Sequence, residues 1–230
     1  MIPTYFVGGV SLEGAKWDSI DDPYWLSTVL LMRMNGADGG TTFVDSSQVG
    51  TTFSVSHMTT STEQSKSGGT SCKCSTTDID QFYFTCVAAH QLTGDFTAEA
   101  WAYWTATPLT VSQPFSLGGT ADVPLSVSNY SDNKLYVGHG GDKISGTTTV
   151  THDAWHHIAL TRTGSTIRLW LDGTQEGSTY SSSATFNVTG QKTRLGNLMG
   201  YLTADPYLDL VRITKADRYG TSSFTPPADY

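Results

Sequence analysis

The chain has 230 residues, enough for one large domain or two small ones with a core that needs no covalent staples. Hydrophobic residues make up 38%, charged residues only 15% and aromatics 11%, a profile of strands and turns that excludes long amphipathic helices and disorder. A net charge of −8 without any run of five Lys or Arg disfavours a nucleic-acid partner and fits a solvated acidic surface.

Residues 1–26 read as an arm or lead-in, with Gly8, Gly9 and Gly14, the acidic stretch DSIDDPYW, and no clear period. The arm carries Tyr5, Phe6, Trp17, Tyr24 and Trp25. Disordered tails are usually aromatic-poor, so these five are expected to dock on another chain. The alternative is an arm lying back on its own domain as an added strand. The opening MIPTYFVGGV lacks the basic and compact apolar regions of a secretory signal. The longest aliphatic run, VLLM at 29–32, is far too short to span a membrane.

From residue 27 to 230 strand-like runs alternate with turn clusters. The runs are 28–34, 70–74, 82–88, 95–104, 123–128, 134–137, 155–162, 166–172, 192–196 and 207–214. Between them lie NGADGG, KSGGT, HGGDK, RTGST and DGTQEG. This spacing, with Gly and Asp as punctuation, predicts an all-β antiparallel sandwich or barrel. The sharpest local reading is a hairpin over 155–172, closed by a Gly-containing loop of three or four residues. A helical alternative around 213–219 would be a single turn at most.

Cys72, Cys74 and Cys86 form an odd set, so at least one thiol has no partner within the chain. With His90 they supply zinc-ligand types at a spacing that fits no common zinc motif, and buried core is the preferred reading. The stretch WHHIALTR sets His156 beside His157. Side chains alternate along a strand, so these two histidines face opposite ways and cannot share an ion or pass a proton between them. A structural role is expected for both. Trp101 and Tyr103 share one strand face, as do Arg168, Trp170 and Asp172. Exposed aromatics beside polar groups stack on sugar rings, which makes Trp101, Tyr103, Arg168 and Trp170 candidates for a carbohydrate site. The competing reading places them in a core or a subunit contact. The N-x-S/T triplets at Asn129 and Asn187 carry little meaning without a secretory route.

The stretch AWHHIALTRTGSTIRLWLDGTQEGS resembles the central hairpin of concanavalin A-like, laminin-G-like jelly-roll domains, of the kind found in bacteriophage structural proteins. DDPYWLSTVLLMRMNGADGGTTFVDSS resembles their opening strand and loop, and SKSGGTS a following turn. LTGDFTAEAWAYW, TRLGN and YLDLVRITKADRYGTSSFTPP resemble later strands and the closing tail. The order and spacing span residues 21–227. The chain departs from the pattern at Cys72 and Cys74, where large apolar residues are usual, and at Leu210, where an acid often follows the first Asp.

The resemblance implies a two-sheet jelly-roll sandwich over 27–230 behind the arm. It implies a non-enzymatic virion protein, a head decoration or a tail or fibre component. Such a protein is made in the host cytoplasm and displayed on the particle surface, with other virion proteins and further copies of itself as partners and a host surface glycan as a candidate ligand. A free carbohydrate-binding module is the first rival. A glycan hydrolase or lyase is the second and is disfavoured: the four glutamates, Glu13, Glu63, Glu99 and Glu176, form no E-x-D-x-x-E strand, and G-x-S-x-G, H-E-x-x-H and a phosphate loop are absent. In many such domains calcium ties the opening loop to the closing strand, and Asp38, Asp45 and Asp209 are the matching carboxylates. The alternative to calcium is that Asp38 and Asp45 satisfy turns by side-chain to backbone bonds. No other cofactor is expected.

Overall fold

The computed structural model describes residues 22–74, 82–108, 111–120, 123–196 and 206–230. Among them the chain forms β1 (Thr28–Met32), β2 (Ser54–Val55), β3 (Thr59–Ser61), β4 (Ser71–Lys73) and β5 (Phe82–Thr85). It continues with β6 (Phe96–Trp104), β7 (Val111–Leu117), β8 (Leu125–Tyr130), β9 (Lys134–Gly138) and β10 (Asp142–Thr149). The last five are β11 (Trp155–Thr163), β12 (Thr166–Leu171), β13 (Thr174–Ser181), β14 (Lys192–Leu195) and β15 (Pro206–Thr214).

The strands build two antiparallel sheets. One runs β13-β12-β11-β6-β15-β4-β3, with β1 also paired to β15, and the other runs β10-β9-β8-β7-β14-β5-β2. This is the expected all-β sandwich of jelly-roll type. The outermost strands β10 and β13 hold the two sheets together at one side. Glu176 on β13 is buried and accepts from the Thr147 and Thr148 amides of β10 at 2.7 and 2.9 Å.

Alternation explains which side chains enter the core. On β6, Phe96, Ala98, Ala100, Ala102 and Trp104 point between the sheets, where they meet Ile158 and Leu160 of β11 and Leu169 of β12. Each fully buried large apolar side chain contributes roughly 1.5–3 kcal/mol. Cys72 and Cys74 are fully buried members of this core, and Cys86 is buried with its thiol 3.2 Å from the Thr193 hydroxyl. None of the three forms a disulfide. Arg162, on the core side of β11, is sealed at one end of the sandwich. Its guanidinium donates to the carbonyls of Leu92, Gly94 and Ala184 and lies over the Phe96 ring.

The hairpin of β11 and β12 forms as expected but is tighter. Thr163 pairs with Thr166, leaving a two-residue loop in which Gly164 takes the positive φ that such a turn requires. Strands β2, β3, β7, β10 and β13 were not foreseen. β10 (DKISGTTT) and β13 (TQEGSTYS) are polar sheet edges with no apolar alternation to reveal them, and β7 is interrupted by Pro114. The helical alternative near 213–219 does not form, and the described 3-10 turns lie at Trp25–Ser27 and Ala88–His90. Among the described residues no helix is long and apolar enough to cross a membrane.

Strand β15 organises the candidate site. Its first residues, Tyr207 and Leu208, pair with β4, and its last, Val211 to Thr214, pair with β1. Between them the register against β6 shifts, and Leu210 adopts φ +48, a conformation that costs a branched residue of order 1–3 kcal/mol. Asp209 holds the bulge. One carboxylate oxygen accepts from the Leu210 amide and the other from the amides of Lys66 and Ser67.

Every residue of β6 and β15 is buried, on both faces. A strand in an antiparallel sandwich ordinarily turns its second face to water. Here the tail beyond residue 214 returns over the outer face of the first sheet. Phe224 donates its amide to Gly173 O, and its ring meets Trp170 and His157 edge-on. Trp101 donates its indole N–H to Pro227 O.

Candidate functional site

The outward positions of β6, β11 and β15 bring Glu99, His157 and Arg212 together beneath the tail. Glu99 is the register partner of Ala159 on one side and Arg212 on the other, and His157 is the partner of Trp101. Glu99 Oε1 receives Arg212 Nε and Nη2, each at 2.7 Å. Glu99 Oε2 receives His157 Nε2 at 3.0 Å and the hydroxyl of Tyr219 from the tail. Arg218 Nε approaches Oε1 at 3.9 Å. Burial alone would raise the Glu99 carboxyl, but Arg212 and the His157 bond outweigh it and hold the group down at about 2. The same burial, reinforced by Glu99, pushes the Tyr219 and Tyr230 phenols up. Glu99 is therefore a fixed anion with every oxygen engaged. A general acid needs a proton near neutral pH and a path to substrate, and Glu99 has neither.

The two histidines part company as expected. His156 places Nδ1 2.7 Å from Asp172 Oδ2 and Nε2 3.0 Å from the Thr151 hydroxyl. His157 is fully buried on the other side, with Nδ1 lacking a hydrogen-bond partner.

Beside the Glu99 cluster, the segment after residue 21 and the tail's last residues enclose a hollow of about 750 Å³. Its walls carry the rings of Tyr24, Trp25, Tyr219 and Tyr230 and the guanidinium groups of Arg33, Arg212 and Arg218. Arg212 lies 3.7 Å from the centroid of the Tyr230 ring and Arg218 lies 4.8 Å from that of Tyr24. Asp22 accepts from Arg218 at 2.8 Å, and these contacts keep its carboxyl below the ordinary range despite partial burial. Its volume and mixed lining are those of a small-molecule site, typically ~300–1,000 Å³ with an apolar wall and few polar groups.

The residues singled out from sequence fall elsewhere. Trp101, Tyr103 and Trp170 were expected as exposed sugar platforms, and the structure corrects this. Trp170 is fully buried, its N–H on Thr161 Oγ1 at 2.9 Å. Trp101 lies under Lys66, whose ammonium stands 3.8 Å from the ring centroid. Tyr103 is buried against Trp155 and Tyr207. These neighbours, with Phe224 of the tail on Trp170, occupy the faces a sugar would need. Arg168, half-buried, reaches the Thr163 hydroxyl at 3.4 Å.

The three calcium candidates are not brought together. Asp38 accepts from the Thr62 amide, Asp45 from the amides of Leu31, Ser47 and Thr51, and Asp209 from those of Lys66, Ser67 and Leu210. Asp45 closes its own loop, the alternative weighed from sequence, whereas Asp38 is tied to Thr62 and Asp209 to the turn at Lys66 and Ser67. Burial pushes the Asp209 carboxyl up to about 7 despite its three amide donors. Among the described residues no group of three or more His, Cys, Asp or Glu could hold a metal ion. His90 is engaged by the Thr51 hydroxyl and the Val87 amide rather than by the thiols. Asn129 and Asn187 are fully buried.

Tyr24 and Trp25, grouped from sequence with an arm that docks on another chain, line the hollow of their own domain. Tyr5, Phe6 and Trp17 lie outside the described residues. Sequence reasoning missed Arg33, Arg212, Arg218 and Tyr219 altogether. One signal was available: Glu99 and Arg212 lie in nine-residue strands made mostly of apolar residues, as opposite charges do when they are buried as a pair.

A family model described as the concanavalin A-like lectin/glucanases superfamily, Laminin_G_3, matches residues 80–216. No curated protein matches the sequence. Among solved structures the chain is similar to the binding domain of Paraclostridial Mosquitocidal Protein 1. The TM-score is 0.65 at 13% identity, covering 84% of this chain and 50% of that one. It is similar to Trypanosoma rangeli sialidase, with TM-score 0.62 and 14% identity over 84% of this chain and 31% of the other. It is also similar to a structure of botulinum neurotoxin type C, with TM-score 0.62 and 12% identity over 84% and 49%. The chain thus spans half or less of these structures, and at such identities the likeness is one of fold. On the sandwich topology and the family match over most of its length, the chain belongs to the concanavalin A-like lectin/glucanase superfamily, with a laminin-G-like domain.

Proposed function

We propose that the chain is a non-catalytic module of a bacteriophage particle surface, a head-decoration or tail-fibre component, that binds a host glycan in the hollow between Trp25 and Tyr230. The observation that carries the binding part is the hollow itself, where aromatic and guanidinium side chains gather while the nearest candidate acid, Glu99, is spent on structure. Related folds add weight: the neurotoxin type C structure is described as depending for cell entry on two ganglioside molecules. The virion part rests on the resemblance of the sequence motifs to phage structural proteins. It places the protein on the particle surface, with other virion proteins and copies of itself as partners.

A glycan array on the purified protein tests binding, and mass spectrometry of purified particles tests the virion assignment. A blank array at high protein concentration would remove the glycan role. Binding without any particle association would favour a free carbohydrate-binding module. Turnover of any polysaccharide would favour a hydrolase or lyase, the sialidase being an enzyme of similar fold.

A further inference from the structure

The charges around the hollow are answered within the chain. Arg212 gives Nε and Nη2 to Glu99, and Arg218 gives Nη2 to Asp22. Arg33 faces Asp229, which is itself held by the Ser67 hydroxyl and the Tyr230 amide. A ligand that brings its own charge finds no counter-ion to spare, and burying it unpaired is costly. Two polar atoms stay open. Arg212 Nη1 and Asp22 Oδ2 stand 3.9 Å apart, too far for a hydrogen bond to each other. Neither has a hydrogen-bond partner among the described residues, because Glu99 takes Nε and Nη2 while Arg218 and the Tyr24 amide both use Oδ1. Nη1 can only donate and Oδ2 can only accept. A hydroxyl set between them satisfies both at once. A carboxylate has no proton for Oδ2, and an ammonium has no lone pair for Nη1. Three of the rings in the walls have a face taken: Tyr24 by Arg218, Tyr230 by Arg212 and Tyr219 by Phe224. Trp25, half-buried on the same opening, has no ring, cation or indole N–H partner among the described residues.

We infer that the hollow takes an uncharged sugar, with one hydroxyl bridging Arg212 Nη1 and Asp22 Oδ2 and the C–H face of the pyranose on Trp25. This deepens the glycan-binding reading and rests on it. The negative face of the indole suits the weakly positive C–H bonds of a sugar ring. Selectivity then comes from the sense of the hydrogen bonds. The two open atoms demand a group that both gives and takes one.

Isothermal titration calorimetry with galactose and glucose, against glucuronic acid and N-acetylneuraminic acid, tests the inference on the full chain. At least one neutral sugar is expected to bind and the acidic ones not. Trp25→Ala should weaken neutral-sugar binding about tenfold, the loss of one stacked ring. Asp22→Asn is the sharper probe. The Tyr24 amide and Arg218 hold the side-chain oxygen at the Oδ1 position, so the new amide nitrogen faces Arg212. Two donors then line the gap, which suits a carboxylate. The variant should lose neutral-sugar affinity and gain glucuronic acid affinity several-fold, a gain that a merely structural role would not produce. Melting curves check that both variants fold, with Trp25→Leu in reserve should the alanine variant be unstable. Acidic sugars binding as well as neutral ones, or neither neutral sugar binding while a glycan array is positive, would overturn the ligand class and leave the glycan reading intact. Neutral-sugar binding insensitive to both substitutions would overturn the placement. No binding to any of the four sugars together with a blank array would overturn both.

Discussion

Glu99 and Arg212 face each other as register partners on β6 and β15, joined at 2.7 Å and buried beneath the C-terminal tail. The pair, with His157 and Tyr219, turns what would be the solvent face of the first sheet into a second, polar core. Removing one partner strands the other's charge in a dry site. Glu99→Gln is therefore expected to destabilise the protein by about 3–5 kcal/mol in urea denaturation, and Glu99→Leu with Arg212→Met to recover part of that loss. A cost for Glu99→Gln below about 1 kcal/mol would mean that water screens the cluster.

The same pair sets the acid limb of stability. The Glu99 carboxyl is held at about 2 in the folded chain against an ordinary value near 4.5, so the unfolded chain takes up its proton first as pH falls. Its contribution, roughly 3 kcal/mol, is complete above the unfolded value and is lost as pH drops from there towards 2. Asp209 works in the opposite sense. Its folded value near 7 exceeds the ordinary 3.8, so its contribution is present at low pH and is lost as pH rises through about 7. Denaturation midpoints measured from pH 2 to 8 should show a steep acid limb that Glu99→Gln flattens. An unchanged limb in the variant would assign acid unfolding to other carboxylates.

Truncation after Ala216 uncovers Trp101, Trp170 and His157 together. Contiguous exposed apolar surface of this size favours association. The shortened chain is expected to bind a hydrophobic dye and aggregate, whereas Phe224→Ala alone should cost about 1–3 kcal/mol because that ring is only half-buried. A soluble, cooperatively melting truncation would show that the tail is dispensable to the fold.

The arm divides into two parts that separate truncations distinguish. A chain starting at Asp22 keeps the bridge to Arg218 and the Tyr24 carbonyl that accepts from Thr28. It should melt like the full chain yet fail to assemble or attach to particles, if residues 1–21 dock on a neighbouring chain. A chain starting at Ser27 also loses the Asp22 bridge and one wall of the hollow, and should melt lower. Normal assembly of the first truncation would dispose of the docking role.

Calcium and chelator offer a simple readout of the three aspartates. A metal that binds only the native state raises the melting temperature. With Asp38, Asp45 and Asp209 each accepting backbone amides at a separate place in the fold, melting in EDTA and in millimolar calcium should coincide. A chelator-dependent shift abolished by Asp209→Asn would restore a metal at the closing strand.

Sequence alone determined the elements whose physics is local. Alternation in FTAEAWAYW and TIRLWL, the Gly164 turn between β11 and β12, and the opposed directions of His156 and His157 all follow from the two-residue period of a strand. The burial of Cys72 and Cys74 was legible in the same way. Polar edge strands such as β10 and β13 were not, because their stability comes from neighbours distant in sequence rather than from their own pattern. The tertiary structure alone decided the fate of the outer face. Trp101, Tyr103 and Trp170 stand where alternation puts exposed residues, and partners distant in sequence bury them: the returning tail at Trp101 and Trp170, and Trp155 and Tyr207 at Tyr103. The hollow likewise joins Trp25 to Tyr230 from opposite ends of the chain. Contacts of that separation depend on how β1 and β15 pair and where Leu210 interrupts the register, and no short-range pattern encodes either.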